Sequence, residues 1–411
     1  MTESHLRFGN DQQIALRAGA HVQVFRTGVP AGEPLDDPEA AVAAALVDPL
    51  QYPPLNQATV PGDRIVLALD RDVPQAPAVL SGVIGALLDG VTEPEDITVV
   101  TADPQPRGEW FLSLIPPSAR RHIKVTGHTP SEPSQLEYLA TSRDGQPIYI
   151  NRLICDADLA IPIGVVKPRQ GLGNLGLYSG IFPTFADART QERFTKPDTL
   201  LHPKRLDQRR REVEEAAWLL GARFTVQVIP GGNDTLLHVL AGDVDAVTQD
   251  GERMSSTAWD FTIPSKVGLV VAGISGNAQC QNWDNFARTI HAALRIVDDG
   301  GAIVVASQID RHPGPAMQRV VSAMESSARN HAIRNASTID AVPALQLLEA
   351  MQRVRVYLHS GLKAEVVEDL GVGSIGSASE ISCLGREYDA WAILENSQYA
   401  CPHVEQQRAT T

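Results

Sequence analysis

Arg64-Ile-Val-Leu-Ala-Leu69, then Ala78–Leu88, then Ile97-Thr-Val-Val-Thr101 is the stretch that decides the fold class of this chain. The first and third runs are short, apolar and rich in β-branched residues, as buried strands are. The middle run has the length of a helix and is closed by Gly90. A strand, a helix of about ten residues and another strand make a βαβ unit, and such a crossover leaves its two strands parallel.

Outward from that unit the pattern returns. His122–Val125, Ile148–Asn151 and Asp158–Val166 read as strands, the last a continuous apolar run expected of a strand covered on both faces. A charged helix, Leu206–Leu220, stops at Gly221. Phe224–Ile229 then turns through Pro230-Gly-Gly-Asn-Asp234 into Leu236–Leu240, a hairpin-like signal. Met254–Pro264 reads as a connector. A second α/β set follows: strand Val267–Ala272, amphipathic helix Trp283–Val297, turn Asp299-Gly300-Gly301, strand Ala302–Ala306, helix Pro343–Met351, and strands Val354–His359 and Trp391–Leu394. Residues 1–60 are rich in Pro, Ala and Asp and show one helical run, Asp37–Val47. The expectation is an α/β protein of two domains, 1–262 and 263–411, with mainly parallel sheets and a cleft between them.

Composition agrees with that size. A chain of 411 residues suggests two or three domains at roughly 150 residues each. Its 43% hydrophobic content allows a core that needs no metal or disulfide. A net charge of −14 argues against nucleic acid or anionic membrane as a partner. Cys155, Cys280, Cys383 and Cys401 form no CxxC pair, so free thiols in a cytosolic protein are expected. Neither a secretory leader nor an apolar window of membrane-spanning length is evident.

Five ordered blocks resemble the nickel-pincer lactate racemase family. They are Pro61-Gly-Asp-Arg-Ile-Val-Leu-Ala-Leu-Asp70-Arg-Asp72-Val-Pro74, Glu95–Asp103, Leu136–Arg152, Ala157–Gly164 and Val239–Val247. Together they run over most of the first domain; the C-terminal half is similar more loosely, through Gly268–Ser275 and Gly300–Val305. The resemblance implies a two-domain α/β fold and hydride transfer between C2 of a 2-hydroxy acid and a nickel-pincer nucleotide tethered to a lysine. It also implies an acid/base pair of histidines, a nickel-ligating histidine and a carboxylate-holding arginine. A base titrating near neutrality suits such proton traffic, and imidazole suits nickel.

Carried over residue by residue, the resemblance puts Val73 where the arginine belongs, with Arg71 two positions earlier. Asp103 falls at the first catalytic histidine, Arg169 at the second, and Ser179 at the tethering lysine. The segment Arg193-Phe194-Thr195 lacks the nickel-binding histidine. The lysine tether and histidine ligand are thus expected to be absent, leaving the cofactor unknown and no metal site assigned. An ordinary aspartate titrates near 4 and arginine stays charged, so neither is a ready proton shuttle at about pH 7.

Several features carry a second reading. Gly171-Leu-Gly173-Asn-Leu-Gly176 is formally GxGxxG, but Lys167-Pro168-Arg169-Gln170 separates it from the strand, unlike a dinucleotide-binding turn. Lys167 and Arg169 are either anion-capturing groups or solvated loop charges. His128 is expected to bond its own loop, and Cys280 to be a buried or idle thiol rather than a nucleophile. Arg205–Arg211 with the following glutamates reads as a surface helix laced by i,i+4 pairs.

The expected function is that of a divergent lactate racemase-like protein acting on a small carboxylic acid. Asp103 is the candidate acid/base and Arg169 the anion binder, with Asp70, Asp72, Lys167 and Ser179 lining the substrate site. The alternative is a catalytically inactive relative, a pseudoenzyme serving as a small-acid sensor or as partner of an active paralogue. A third possibility, an unrelated Rossmann-type oxidoreductase, is disfavoured by the ordered blocks.

Overall fold

The computed structural model describes residues 2–103, 115–117, 119–168, 172, 174–197, 202–321, 326–336, 338 and 340–405. Its strands, in chain order, are β1 Thr2–Phe8, β2 Gln12–Ala18, β3 Gln23–Thr27, β4 Ile65–Leu69, β5 Ile97–Thr101, β6 Lys124–Gly127, β7 Leu136–Thr141, β8 Pro147–Asn151 and β9 Leu159–Val165. They continue as β10 Phe224–Pro230, β11 Leu236–Asp243, β12 Asp260–Ile263, β13 Val267–Gly273, β14 Val297–Ala306, β15 Arg355–His359, β16 Gly373–Ser374, β17 Ala390–Leu394 and β18 Cys401–Val404. The protein is α/β with mainly parallel sheets.

Two six-stranded sheets organise it. The first has the order β11-β10-β9-β4-β5-β6 and the second β16-β15-β14-β13-β17-β3. β4 pairs in parallel with both β5 and β9, and β13 with both β14 and β17. All five residues of β4 and all seven of β10 are buried. The unbroken apolar sequence of β4 needs cover on both faces; in β10 the polar Thr225 and Gln227 are buried as well, Thr225 Oγ1 donating to Pro162 O at 3.0 Å and Gln227 Nε2 to Thr225 Oγ1 at 2.8 Å. Helix Pro38–Val47, capped by the Asp37 carboxylate accepting from Ala40 N at 3.0 Å, packs on helix Ala76–Leu88. Gly82 permits the approach, since a Cβ there would lie 2.7 Å from Glu39 O and Val42 Cβ.

The N-terminal residues differ from expectation. β1 and β2 form an antiparallel hairpin, and β3 joins the second sheet as the parallel neighbour of β17. Leu6, Phe8, Ile14, Leu16 and Ala18 pack there against Leu269, Val271 and Trp391. A single division near residue 262 therefore does not describe which sheet each segment completes. The clue was the period-two alternation of those apolar residues, masked by the Pro- and Asp-rich composition downstream.

Two further expectations are corrected. Met254–Pro264 is no connector: Val244–Trp259 is a helix capped by Asp243, and β12 pairs with β18. That helix buries Val244, Val247, Gly251, Ser255, Ala258 and Trp259, a stripe in which Gly251 and Ser255 interrupt the apolar residues. Ile148–Asn151 falls within β8, which pairs with β7 as a hairpin outside the main sheet. Exposed Tyr138 and Tyr149, meeting edge to face at 5.6 Å, mark its solvent side.

One packing contact in the second sheet yields a prediction. Trp391 is buried, its Nε1 donates to Gly385 O at 3.0 Å, and its indole occupies the space where a Cβ on Gly385 would stand. Gly385→Ala must displace the ring, so destabilisation of about 1–3 kcal/mol is expected by chemical denaturation. An unchanged denaturation midpoint would contradict this packing account.

Candidate functional site

In open α/β sheets the crevice beyond the strand C-termini, where strand order reverses, is the place a ligand can reach. Here there are two reversals, and they face each other. In the first sheet the reversal lies between β4 and β9, whose ends lead to Asp70–Asp72 and to Lys167. In the second it lies between β13 and β17, leading to the loop 274–282 with helix Trp283–Leu294, and to residues 395–400.

The loop after β4 is shaped by local backbone chemistry. Asp70 Oδ1 accepts from Arg71 N at 2.7 Å, and Arg71 Nη2 donates to Ala102 O at 3.3 Å. Asp72 has φ +62° and Gln75 φ +48°, left-handed conformations that non-glycine residues adopt at some cost. The turn carries the Asp72 carboxylate to the second lobe, where Oδ1 accepts from Asn282 Nδ2 at 3.4 Å and Oδ2 faces Arg288 Nη1 at 3.7 Å. Asn282 also caps its helix, its Oδ1 accepting from Asn285 N at 2.8 Å. One side chain therefore starts the helix and bridges the lobes. Asp234, in the turn after β10, makes a parallel bridge by accepting from Asn277 Nδ2 at 3.2 Å.

Two pockets open from this junction, and Val165 and Lys167 line both. The first encloses about 450 Å³ open to solvent and has a polar wall that includes Asp70, Asn174, Ser179, Gln227, Thr248 and Glu252. The second, about 590 Å³, is bounded by Asp72, Arg288, His291 and Tyr399, with Pro168, Leu172, Ala292 and Ala400 as apolar cover.

Burial dominates the electrostatics. The Asp70 carboxyl is pushed above its ordinary value by loss of water, partly countered by Lys167 and Arg71. Lys167 is driven below the usual lysine value of 10.5 by the same desolvation and by the Arg288 guanidinium. Asp284 stands at the cleft surface with its side chain open to cleft water, yet protein on both sides raises its carboxyl, with Arg288 opposing. Tyr399 is held far above the usual phenol value by burial and by Cys280 and Asp72, so it stays neutral. Buried Cys280 is likewise pushed well up by burial first, then by Asp72 and Asp234, which keeps it a thiol and not a nucleophilic thiolate.

The residues singled out from sequence distribute as follows. Asp70, Lys167 and Ser179 share the first pocket, and Asp72 and Lys167 the second. Ser179 Oγ donates to Gly176 O at 2.6 Å. Asp103 follows β5 and accepts from Thr101 Oγ1 through its carbonyl at 3.1 Å; it lines neither pocket. Arg169, Gly171 and Gly173 lie outside the described residues. His128 is fully buried, bonded through Nε2 to Ala186 O at 2.9 Å and through Nδ1 to Asn151 Nδ2 at 3.1 Å, so its role is structural but it ties distant segments together and does not bond its own loop as expected. Burial holds it below the usual histidine value. Asp284, Arg288 and Tyr399 went unread in the sequence.

Comparison with known proteins places this geometry. A family model described as the lactate racemase N-terminal domain matches residues 9–195. The whole chain has the fold of the lactate racemase apoprotein from Thermoanaerobacterium thermosaccharolyticum. The two agree with a TM-score of 0.78 over 98% of this chain and 100% of that one, at 16% identity. A protein of Thermotoga maritima is also similar, with a TM-score of 0.66 over 91% of this chain and 99% of the other, at 15% identity. No curated protein matches the chain by sequence. Among the described residues no helix is long and apolar enough to cross a membrane.

Proposed function

We propose that this chain is a divergent lactate racemase-like protein whose interlobe cleft binds a small carboxylic acid, and that it does not work as a standard nickel-pincer racemase. The observation carrying this reading is the convergence of Lys167 and Arg288, from opposite lobes, on the second pocket. In this reading Arg288 grips the carboxylate, for which a guanidinium offers a planar fork. Lys167 faces the substituent at C2, and the apolar cover excludes water from the rest of the ligand.

The fold family implies a nickel nucleotide tethered to lysine, and the residues present do not suit it. The two pockets hold one lysine, Lys167, and one histidine, His291, contributed by different lobes. Among the described residues no group of three or more His, Cys, Asp or Glu side chains is placed to hold a metal. Ser179, at the position corresponding to the tether, cannot form the amine-derived link, and its hydroxyl is bonded to Gly176. No step is derived through that group. The sensor alternative shares the binding site and differs only in turnover.

The test joins both parts of the reading. The protein, purified with and without the proteins that build the pincer cofactor, is given single enantiomers of a panel of 2-hydroxy acids. Melting temperature, bound nickel, intact mass and enantiomer ratio are followed. Small acids raising the melting temperature, with no stoichiometric nickel and no cofactor-sized mass, are expected. Nickel, added mass and racemisation together would overturn the reading. Conversion of an acid without nickel would favour a diverged enzyme over a sensor.

A pH dependence follows from Lys167. Its proton is lost below the ordinary 10.5, so its attraction for an acid anion is present at low pH and disappears as pH rises through that depressed value. Guanidinium groups stay charged over the same range. Affinity measured from about pH 6 to 10 should therefore fall in the wild type and stay flat in Lys167→Met. A wild-type profile that is flat or rises contradicts the assignment.

A further inference from the structure

We propose that Lys167 is an imine-forming lysine whose amine condenses with the C2 carbonyl of a small 2-oxo acid while Arg288 holds the carboxylate. This rests on the reading that the cleft takes a small carboxylic acid, and it adds the class of that acid and a covalent step.

Four observations carry it. Lys167 stands just beyond the end of β9 in the wall common to both pockets. Among the described residues its ammonium takes no hydrogen bond and no ion pair; Asp70, Asp72 and Asp284 act on it only at longer range. Lys167 is half-buried, and a desolvated lysine kept for structure alone would be expected to hold a carboxylate directly. The facing cation, Arg288, spends only Nη1, which donates to Asn285 Oδ1 at 2.7 Å and faces Asp72 at 3.7 Å. Among the described residues its other donors make no hydrogen bond, which leaves them to a ligand carboxylate in this proposal. Finally, Val165, Pro168, Leu172, Ala292 and Ala400 give the second pocket an apolar lining. A lysine desolvated beside another cation is the setting in which an amine serves as nucleophile near neutral pH, and water-poor walls protect the imine from hydrolysis.

The step balances without any oxidant or reductant. The Nζ lone pair forms the C–N bond to C2 as the carbonyl π pair moves to oxygen, which takes a proton. Nitrogen gives up one proton, its lone pair then expels the carbinolamine hydroxyl as water with a second proton to form C2=N, and the iminium nitrogen releases its other proton. One amine and one carbonyl thus yield one imine and one water. Asp70, which shares the first pocket with Lys167 and whose raised carboxyl holds a proton more readily than an ordinary aspartate, is the donor to the departing oxygen.

The experiment is borohydride trapping of the full chain with pyruvate as probe, read by intact mass and peptide mapping, with melting temperature recorded alongside. One reduced adduct per chain, mapped to Lys167, is expected. It should be lost in Lys167→Met and Lys167→Arg and kept in Lys196→Met. Arg288→Met retains the amine but should need at least about tenfold more pyruvate for the same labelling, a readout that survives if the lysine variants fold poorly. Pyruvate that raises the melting temperature without trapping at Lys167 overturns the imine and leaves the acid-binding reading standing. Neither a thermal shift nor trapping overturns both. Labelling spread over surface lysines and unchanged in Lys167→Met also overturns the proposal.

Discussion

Arg288→Met is expected to weaken binding of a small carboxylic acid by about 2–4 kcal/mol, the scale for removing one partner of a desolvated charged contact. Methionine keeps much of the side-chain length, so the loss reports the guanidinium rather than a cavity. The change acts on the lobe junction too. Arg288 lowers the Asp284 carboxyl and offsets the charge of Asp72, so both carboxylates would then be less well compensated in a crowded cleft. Binding should fall much further than stability does. Titration calorimetry paired with denaturation separates the two. An affinity within about twofold of wild type, less than 0.5 kcal/mol, would show that the acid does not meet Arg288.

Trp259→Ala carries the largest expected effect on stability, a loss of about 3–5 kcal/mol. Trp259 is fully buried where helix Val244–Trp259 passes into β12. Its Nε1 donates to Pro230 O at 3.0 Å, at the end of β10. Its ring lies 5.4 Å from that of Tyr399 and 6.3 Å from that of Phe261. The indole therefore ties the last residue of β10, in the first sheet, to the loop after β17, in the second. Removing it opens a cavity and leaves the Pro230 carbonyl without this buried partner. Because Tyr399 lines the second pocket, acid binding should weaken as well. Trp259→Phe, which fills most of the space but lacks the N–H, should recover the larger share of the stability. If Trp259→Ala costs less than about 1 kcal/mol, the two sheets are not held together here.

What the sequence disclosed, and what it hid, follows from how each feature is built. The strands Ile65–Leu69, Ile97–Thr101, Leu159–Val165 and Phe224–Pro230 were legible because burial inside a sheet demands short runs made mainly of apolar and β-branched residues. The helix Val244–Trp259 was hidden because small residues, Gly251, Ser255 and Ala258, interrupt its inner face between Val247 and Trp259. A Cβ on Gly251 would lie 3.1 Å from Val166 Cγ2 and 3.3 Å from Leu240 Cδ1, so close packing and not bulk selects that glycine. Asp70, Asp72 and Lys167 could be picked out because they sit at strand ends, where a chain in an α/β sheet exposes chemistry to a crevice. Asp284, Arg288 and Tyr399 carried a weaker signal. Asn282 before Trp283, with Asp284 in the first turn, is an N-cap pattern that fixes a helix start just after β13. Nothing in the order of residues says that this start opposes Asp72. Only the facing of the two strand-order reversals brings them together.

The central claim is that this junction is one binding site made by both lobes, and a double-mutant cycle on ligand affinity tests it most directly. Lactate and pyruvate would be titrated calorimetrically into the wild type, Lys167→Met, Arg288→Met and the double variant. The account predicts saturable binding in the wild type, large losses in each single variant, and a double variant scarcely worse than the poorer single one, because both side chains serve the same small ligand. Absence of saturable binding in the wild type, or single-variant losses that simply add, would contradict it.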